Sequence, residues 1–273
     1  MTSVTTRLRD VTALVEELWP IAGQEDWDNS GVTSGSADAT VTSVLFAVDV
    51  TDDTVTEAIE GGFDVLISHH PLLLRGITTL DEDRYKGELL ARLIRAGCAL
   101  VGVHTNGDRV PTGTSDALAA ALGVTVERPI VANPLDGGLG VVGRVDEQTL
   151  GDFARHIASV LPATAGGVRV SGDFAQRVSS VTLCAGAGDS LLSNDDVRAT
   201  DVYVTSDLRH HPASEFREQA RLDHNTALVD ISHWAAEWLW LETAADELRQ
   251  RLKGVTVNVS DLNTDPWTFA VVQ

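Results

Sequence analysis

The chain has 273 residues, 43% of them hydrophobic, which is enough for one large domain or two ordinary ones with a real core. Forty acidic against 20 basic side chains give a formal charge of -20, which disfavours broad nucleic-acid or anionic-membrane footprints because phosphates meet repulsion before any basic patch. An anionic substrate would need a local positive centre. The stretch MTSVTTRLRDVTALVEELWP puts charges where a signal peptide needs its apolar core, and no later run approaches membrane-span length, so a cytoplasmic protein is expected. Two cysteines make neither a disulfide framework nor a cysteine-based zinc site; Cys98 and Cys184, in apolar strand-like runs, read as buried thiols.

Short apolar runs alternate with helical patterns throughout, the signature of an α/β fold with largely buried strands. VTSVLFAVDV (41–50) reads as a strand, TDDTVTEAIEGG as a capped helix, FDVLISHH as a strand, RYKGELLARLIRAG as an amphipathic helix and CALVGVHTN as a third strand. Each polar motif follows a strand's C-terminal end, where open α/β sheets place ligands. Near residue 128 the composition turns to Pro, Gly and Asn, which predicts a border and two α/β domains, 1–127 and 128–273. The second contains strands LGVVGRV, VRVSG, VSSVTLC, DVYVTSD and TALVDIS, and a C-terminal helix over about 233–252 that returns ligands to the site. No internal repeat is evident along the sequence.

Three clusters could carry chemistry: His69-His70, HTNGD (His104 to Asp108) and SHWAAE (Ser232 to Glu237). His233 and Glu237 are four apart on the predicted helix, so both project from one face, the spacing by which a helix offers two ligands to one metal. Imidazole nitrogen with carboxylate oxygen suits zinc, manganese or iron, and the lack of paired cysteines favours an open site over a closed structural one. The potential ligands exceed what one tetrahedral ion uses, so two ions bridged by Glu237 account for the surplus. Taken singly, each cluster has a plainer explanation. A histidine pair at a strand end is most often a local hydrogen-bonding feature, His233 with Glu237 is an ordinary helix pair, and Asp108 is a cap near Thr114. Three such clusters at strand ends or a helix start make those explanations jointly less attractive. WDNSGVTSG, with Asp28 and Asn29, reads as a hydrogen-bonded turn. TSDLRHHPASE supplies Asp207, Arg209, His210 and His211 as an N-cap run or as substrate contacts, and CAGAGDS reads as a strand-to-helix turn.

In order, WDNSGV, SHHPLL, HTNGD, TSDLRHHPA and SHWAAE resemble the YbgI-like dinuclear metal-centre family, the type 2 homologues of GTP cyclohydrolase I, from about Trp27 to Glu237. The resemblance implies two α/β domains with the metal site in the cleft between them, assembled as a ring-shaped homohexamer. It places metal ligands at His69, His70, Asp108, His233 and Glu237, with His104 a further ligand or a supporting partner. The family's usual glycine and tyrosine around the late histidine are Ser232 and Trp234 here, and its TGD is TSD, departures that reshape the pocket without removing a ligand. The function expected is a metal-dependent hydrolase, holding two divalent ions and acting on a nucleotide or similar phosphorylated small molecule. Glu237, His104 and His211 are its candidate catalytic residues, the last two for proton transfer. The alternative is a non-catalytic metal-binding or regulatory ring protein. Nothing in the sequence identifies a guanine-reading pocket.

Overall fold

In a computed structural model describing residues 5–271, the chain divides into two compact units. The first comprises the described chain through Gly107 together with Leu241–Thr264. Its sheet has the order β1 (Gly31–Ser34), β4 (Ala99–Gly102), β3 (Val65–Ser68), β2 (Ser43–Ala47), β11 (Thr256–Val259). All neighbours are parallel except the β1–β4 pair. Helices α1 (Leu8–Leu18), α2 (Asp52–Glu60) and α3 (Tyr85–Ala96) accompany it, and the short α4 (Thr105–Asp108) follows β4. Leu45, Leu66 and Leu100 on neighbouring strands pack against Val55, Leu89 and Leu93 of α2 and α3. Side chains buried in this way contribute on the order of 1.5–3 kcal/mol each.

The second unit comprises Asp108–Trp240 and the described residues from Asp265. Its sheet has the order β5 (Thr125–Ala132), β6 (Gly138–Thr149), β8 (Arg177–Ala187), β9 (Val202–Ser206), β10 (Ala227–Ile231), β7 (Arg169–Ser171). Val202 and Val204 of β9 face a core with α5 (Thr114–Ala121), α6 (Leu150–Val160) and the start of α9 (His233–Arg251). Tyr203 between them faces α7 (Asp195–Ala199) and α8 (His210–Ala220). Helices on both faces explain why the central strands read as continuous apolar runs. The sequence border near residue 128 falls inside β5. Pro129 is tolerated there because β5 is an edge strand, where a missing N–H breaks no second ladder.

The units share a strand scaffold that is hard to see in the sequence. The orders β1-β4-β3-β2 and β7-β10-β9-β8 match, each with one antiparallel edge pair and parallel neighbours. Register matches too, with Val44 opposite Val65 and Val65 opposite Ala99 in one, and Val181 opposite Val202 and Val202 opposite Ala227 in the other. Asp64 and Asp201, each just before a central strand, make the same clamp. One carboxylate oxygen of Asp64 accepts the Thr42 and Ser43 amides at 2.7 and 3.1 Å, and one of Asp201 accepts those of Ser179 and Ser180 at 2.9 and 2.8 Å. The matching tetrads VTSV and VSSV, and the runs ALVG and ALVD, lie between connections of unequal length, which hides the repeat.

Burial raises the Asp201 pKa, but the two serine amides and hydroxyls outweigh it and hold the carboxyl below its ordinary value. A depressed pKa stabilises the fold above the unfolded value near 4 and loses that stabilisation as pH falls through the folded value. Asp201→Ala is therefore expected to cost about 1–2 kcal/mol in urea unfolding at pH 7, a cost that shrinks below about pH 4. An equal cost at both pH values would refute the clamp.

Candidate metal centre

Strand β3 carries its pairing beyond Ser68: the His69 and His70 amides donate to the Ala47 and Val48 carbonyls at 3.0 and 2.8 Å. Pro71 has no N–H with which to continue, so the ladder stops there with both histidines fixed at the strand end. His69 is buried, and its Nδ1–H donates to the Val103 carbonyl at 2.9 Å. His70 directs Nδ1 at Asp49 Oδ1, 2.7 Å away at the end of β2. His104, past the end of β4, directs Nδ1 at Asp28 Oδ1, also at 2.7 Å. Asp28 is itself held by the Thr105 amide at 2.9 Å and by the Thr105 hydroxyl. Burial would raise the Asp28 pKa, but the hydrogen bonds from His104 and Thr105 prevail and keep it ionised well below the usual carboxylate range.

All three rings thus commit Nδ1 to an acceptor, which sets the tautomer and puts the lone pair on Nε2. The ring centroids form a near-equilateral triangle with sides of 5.1, 5.3 and 5.4 Å, and one ligand nitrogen from each lies within 4.8 Å of the others. Pre-oriented imidazoles of one tautomer are a donor set that fits zinc or iron.

The second unit gathers the remaining donors. Ser232 caps α9 by accepting the Ala235 amide at 3.2 Å, so the serine that replaces the expected glycine fixes the helix start at His233. One turn on, Glu237 Oε1 lies 2.9 Å from His233 Nε2, while His233 Nδ1 meets Asp207 Oδ2 at 2.7 Å. Asp207 has φ +59°, a left-handed conformation that turns its side chain back after β9. Burial opposes charge on His233, but Glu237 and Asp207 outweigh it and raise its pKa well above the histidine range, so an ion on this pair has to displace a proton. Glu237 is buried against Gly186 of β8, where φ is +75° and a Cβ would stand 2.5 Å from Glu237 Oε1. Only glycine leaves that carboxylate its place. Asp108 accepts the Thr114 hydroxyl at 2.6 Å, a side-chain contact and not a helix cap, since α5 has Gly113 at its N-cap with no side-chain cap bond; its charge also reaches Cys184 together with that of Glu237.

The structure therefore brings His69, His70 and His104 together in one unit, and His233 and Glu237 together in the other, with Asp108 in the latter. It does not group His211 with these donors: that residue is exposed on the first turn of α8, its ring against His210. Cys98 and Cys184 are buried thiols, pushed up to about 11 and about 12 chiefly by burial, and so are not thiolate ligands at neutral pH. The sequence reading missed Asp49 and the role of Gly186, although an aspartate ending the VTSVLFAVD strand was a usable signal.

Residues 6–266 match the Duf34/NIF3 (NGG1p interacting factor 3) family. The chain belongs to that family. A Streptomyces coelicolor relative named GTP cyclohydrolase 1 type 2 homolog is 44% identical over 97% of this chain and 95% of its own. A Mycobacterium tuberculosis relative of the same name is 30% identical over 96% of this chain and 97% of its own. Among solved structures, Staphylococcus aureus hypothetical protein SA1388 superposes with TM-score 0.86 at 28% identity, covering 98% of this chain and all of that one. A Bacillus cereus protein related to NIF3 gives 0.85 at 22% identity, covering 98% and 100%, and shares the fold.

The acceptors behind the histidines can be tested apart from the donors. Asp49→Ala and Asp28→Ala are expected to weaken zinc binding by about 10–100-fold each in chelator-competition titrations, with the fold kept. Unchanged affinity in both would mean that these carboxylates do not orient the rings.

Proposed function

We propose that this Duf34/NIF3 protein holds two divalent ions, zinc, manganese or iron, through His69, His70, Asp108, His233 and Glu237, with His104 a further ligand or a supporting partner, and hydrolyses a nucleotide or similar phosphorylated small molecule. The observation that carries the reading is the histidine triangle, three rings of one tautomer with ligand nitrogens within 4.8 Å. A core histidine needs one hydrogen-bond partner, not two further imidazoles facing it. The expected ring-shaped hexamer belongs to this proposal.

Bound ions would supply Lewis acidity and lower the pKa of water enough for hydrolysis at neutral pH. The chain's own residues supply the rest. Asp28, Asp49 and Asp207 keep their imidazoles in orientation and balance charge. Glu237 has two oxygens in a buried setting and is the natural bridging group. Of the two candidates for proton transfer, His104 is favoured over the exposed His211 because it sits in the triangle beside Trp27, ring centroids 5.7 Å apart. The ions would also provide the local positive centre that a chain of charge -20 needs to receive a phosphorylated substrate.

Phosphate release or ring opening across a nucleotide panel with added manganese, abolished in a folded Glu237→Ala variant, is the expected result. Tight metal binding with no turnover on any nucleotide or sugar phosphate would instead establish the metal-binding, non-catalytic alternative.

A further inference from the structure

A cavity of about 370 Å³ in the second unit contains none of the proposed metal donors. Its size is that of a small-molecule site. One wall is a face of α8, on which His210, Ala213, Ser214 and Arg217 recur at helical spacing. The opposite wall is the edge strand β7, which contributes Arg169 and Ser171, and the floor is apolar, with Leu208 and Leu228.

The charge of the lining is opposite to that of the protein. Arginines in this acidic chain are commonly held by carboxylates, as Arg128 is by Asp196, Arg177 by Glu147 and Arg209 by Asp189. Among the described residues no acidic side chain pairs with Arg217. Arg169 reaches the buried Asp230, whose other oxygen accepts the Leu208 amide at 3.2 Å, so that acid is already engaged and Arg217 remains as surplus charge. His210 opens the helix, where the dipole also favours an anion, and the Ser171 and Ser214 hydroxyls add donors.

We propose that this cavity binds a small organic phosphate, with the phosphate on Arg217, His210 and Ser214 and the apolar body of the ligand on Leu208 and Leu228. Guanidinium, imidazole and hydroxyl groups around a tetrahedral anion supply the several donors a phosphate takes, and the apolar floor separates an ester from the free ion. The site is independent of the metal centre, and the two readings fail separately.

Isothermal titration of the full-length protein, as purified, with phenyl phosphate and with inorganic phosphate tests it. Saturable binding of phenyl phosphate, tighter than that of inorganic phosphate, is expected in wild type and in Glu237→Ala. Arg217→Ala should weaken it at least about tenfold, and Ser214→Asp, which brings a negative charge to the cavity, should do the same. Arg221→Ala, an exposed arginine of the helix C-cap ion-paired with Glu218, should bind as wild type does. No binding by wild type, or wild-type affinity in both Arg217→Ala and Ser214→Asp, overturns the proposal. So does binding that is lost in Glu237→Ala and kept in Arg217→Ala, since the phosphate would then sit at the metal centre.

Discussion

An imidazole has two nitrogens and one mobile proton, and the arrangement of this chain's histidines turns on where that proton is held. At His69 a backbone carbonyl takes it, at His70 Asp49 and at His104 Asp28, and each partner lies on a different strand or loop from its histidine. With Nδ1 committed, the lone pair on Nε2 follows by elimination. A carbonyl 2.9 Å from His69 accepts only, so that ring's tautomer needs no assumption about a carboxylate. His233 obeys the same logic with Asp207, but its Nε2 faces Glu237, and the two acids draw a proton onto it that a metal ion would replace.

The repeated scaffold explains why these residues stand where they do. Ser68 and Thr205 occupy matching positions of two central parallel strands, so His70 and Asp207, each two residues on, also correspond. Likewise the residues following β4 and β10 present His104 and His233 one position apart. At the end of the neighbouring strand the units diverge: β8 shifts register between Leu183 and Ala187 where β2 does not, and Gly186 lies in that irregularity, beside Glu237. The scaffold supplies the strand ends, and substitutions at them divide the work between orienting groups and donors. The clamps at Asp64 and Asp201 keep those ends in register, which ties the precision of the donors to the packing of apolar strands far behind them.

Much of this was legible in the sequence because the elements are strongly patterned. The apolar runs became buried strands, the i, i+4 spacing of His233 and Glu237 became a 2.9 Å contact, and the two cysteines became core thiols. What stayed hidden depends on sheet order. Asp28 meets His104 across 76 positions and Asp49 meets His70 across 21, separations that local periodicity does not encode. The turn WDNSGV therefore looked like a loop stabilised by its own hydrogen bonds, which it also is, since Asp28 accepts its neighbour's amide at 2.7 Å. The repeat was missed because its matching tetrads are short; the border near residue 128 was read from a turn of composition to Pro, Gly and Asn, of which Pro129 lies on an edge strand that accommodates it.

The central claim, two ions held by these donors, is tested most directly by counting metal. Elemental mass spectrometry on protein purified without chelators should find about two divalent ions per chain, and fewer in Glu237→Ala. Protein that is metal-free, and stays so after incubation with zinc, manganese and iron, would contradict the account and leave the histidine triangle as a feature of the fold alone.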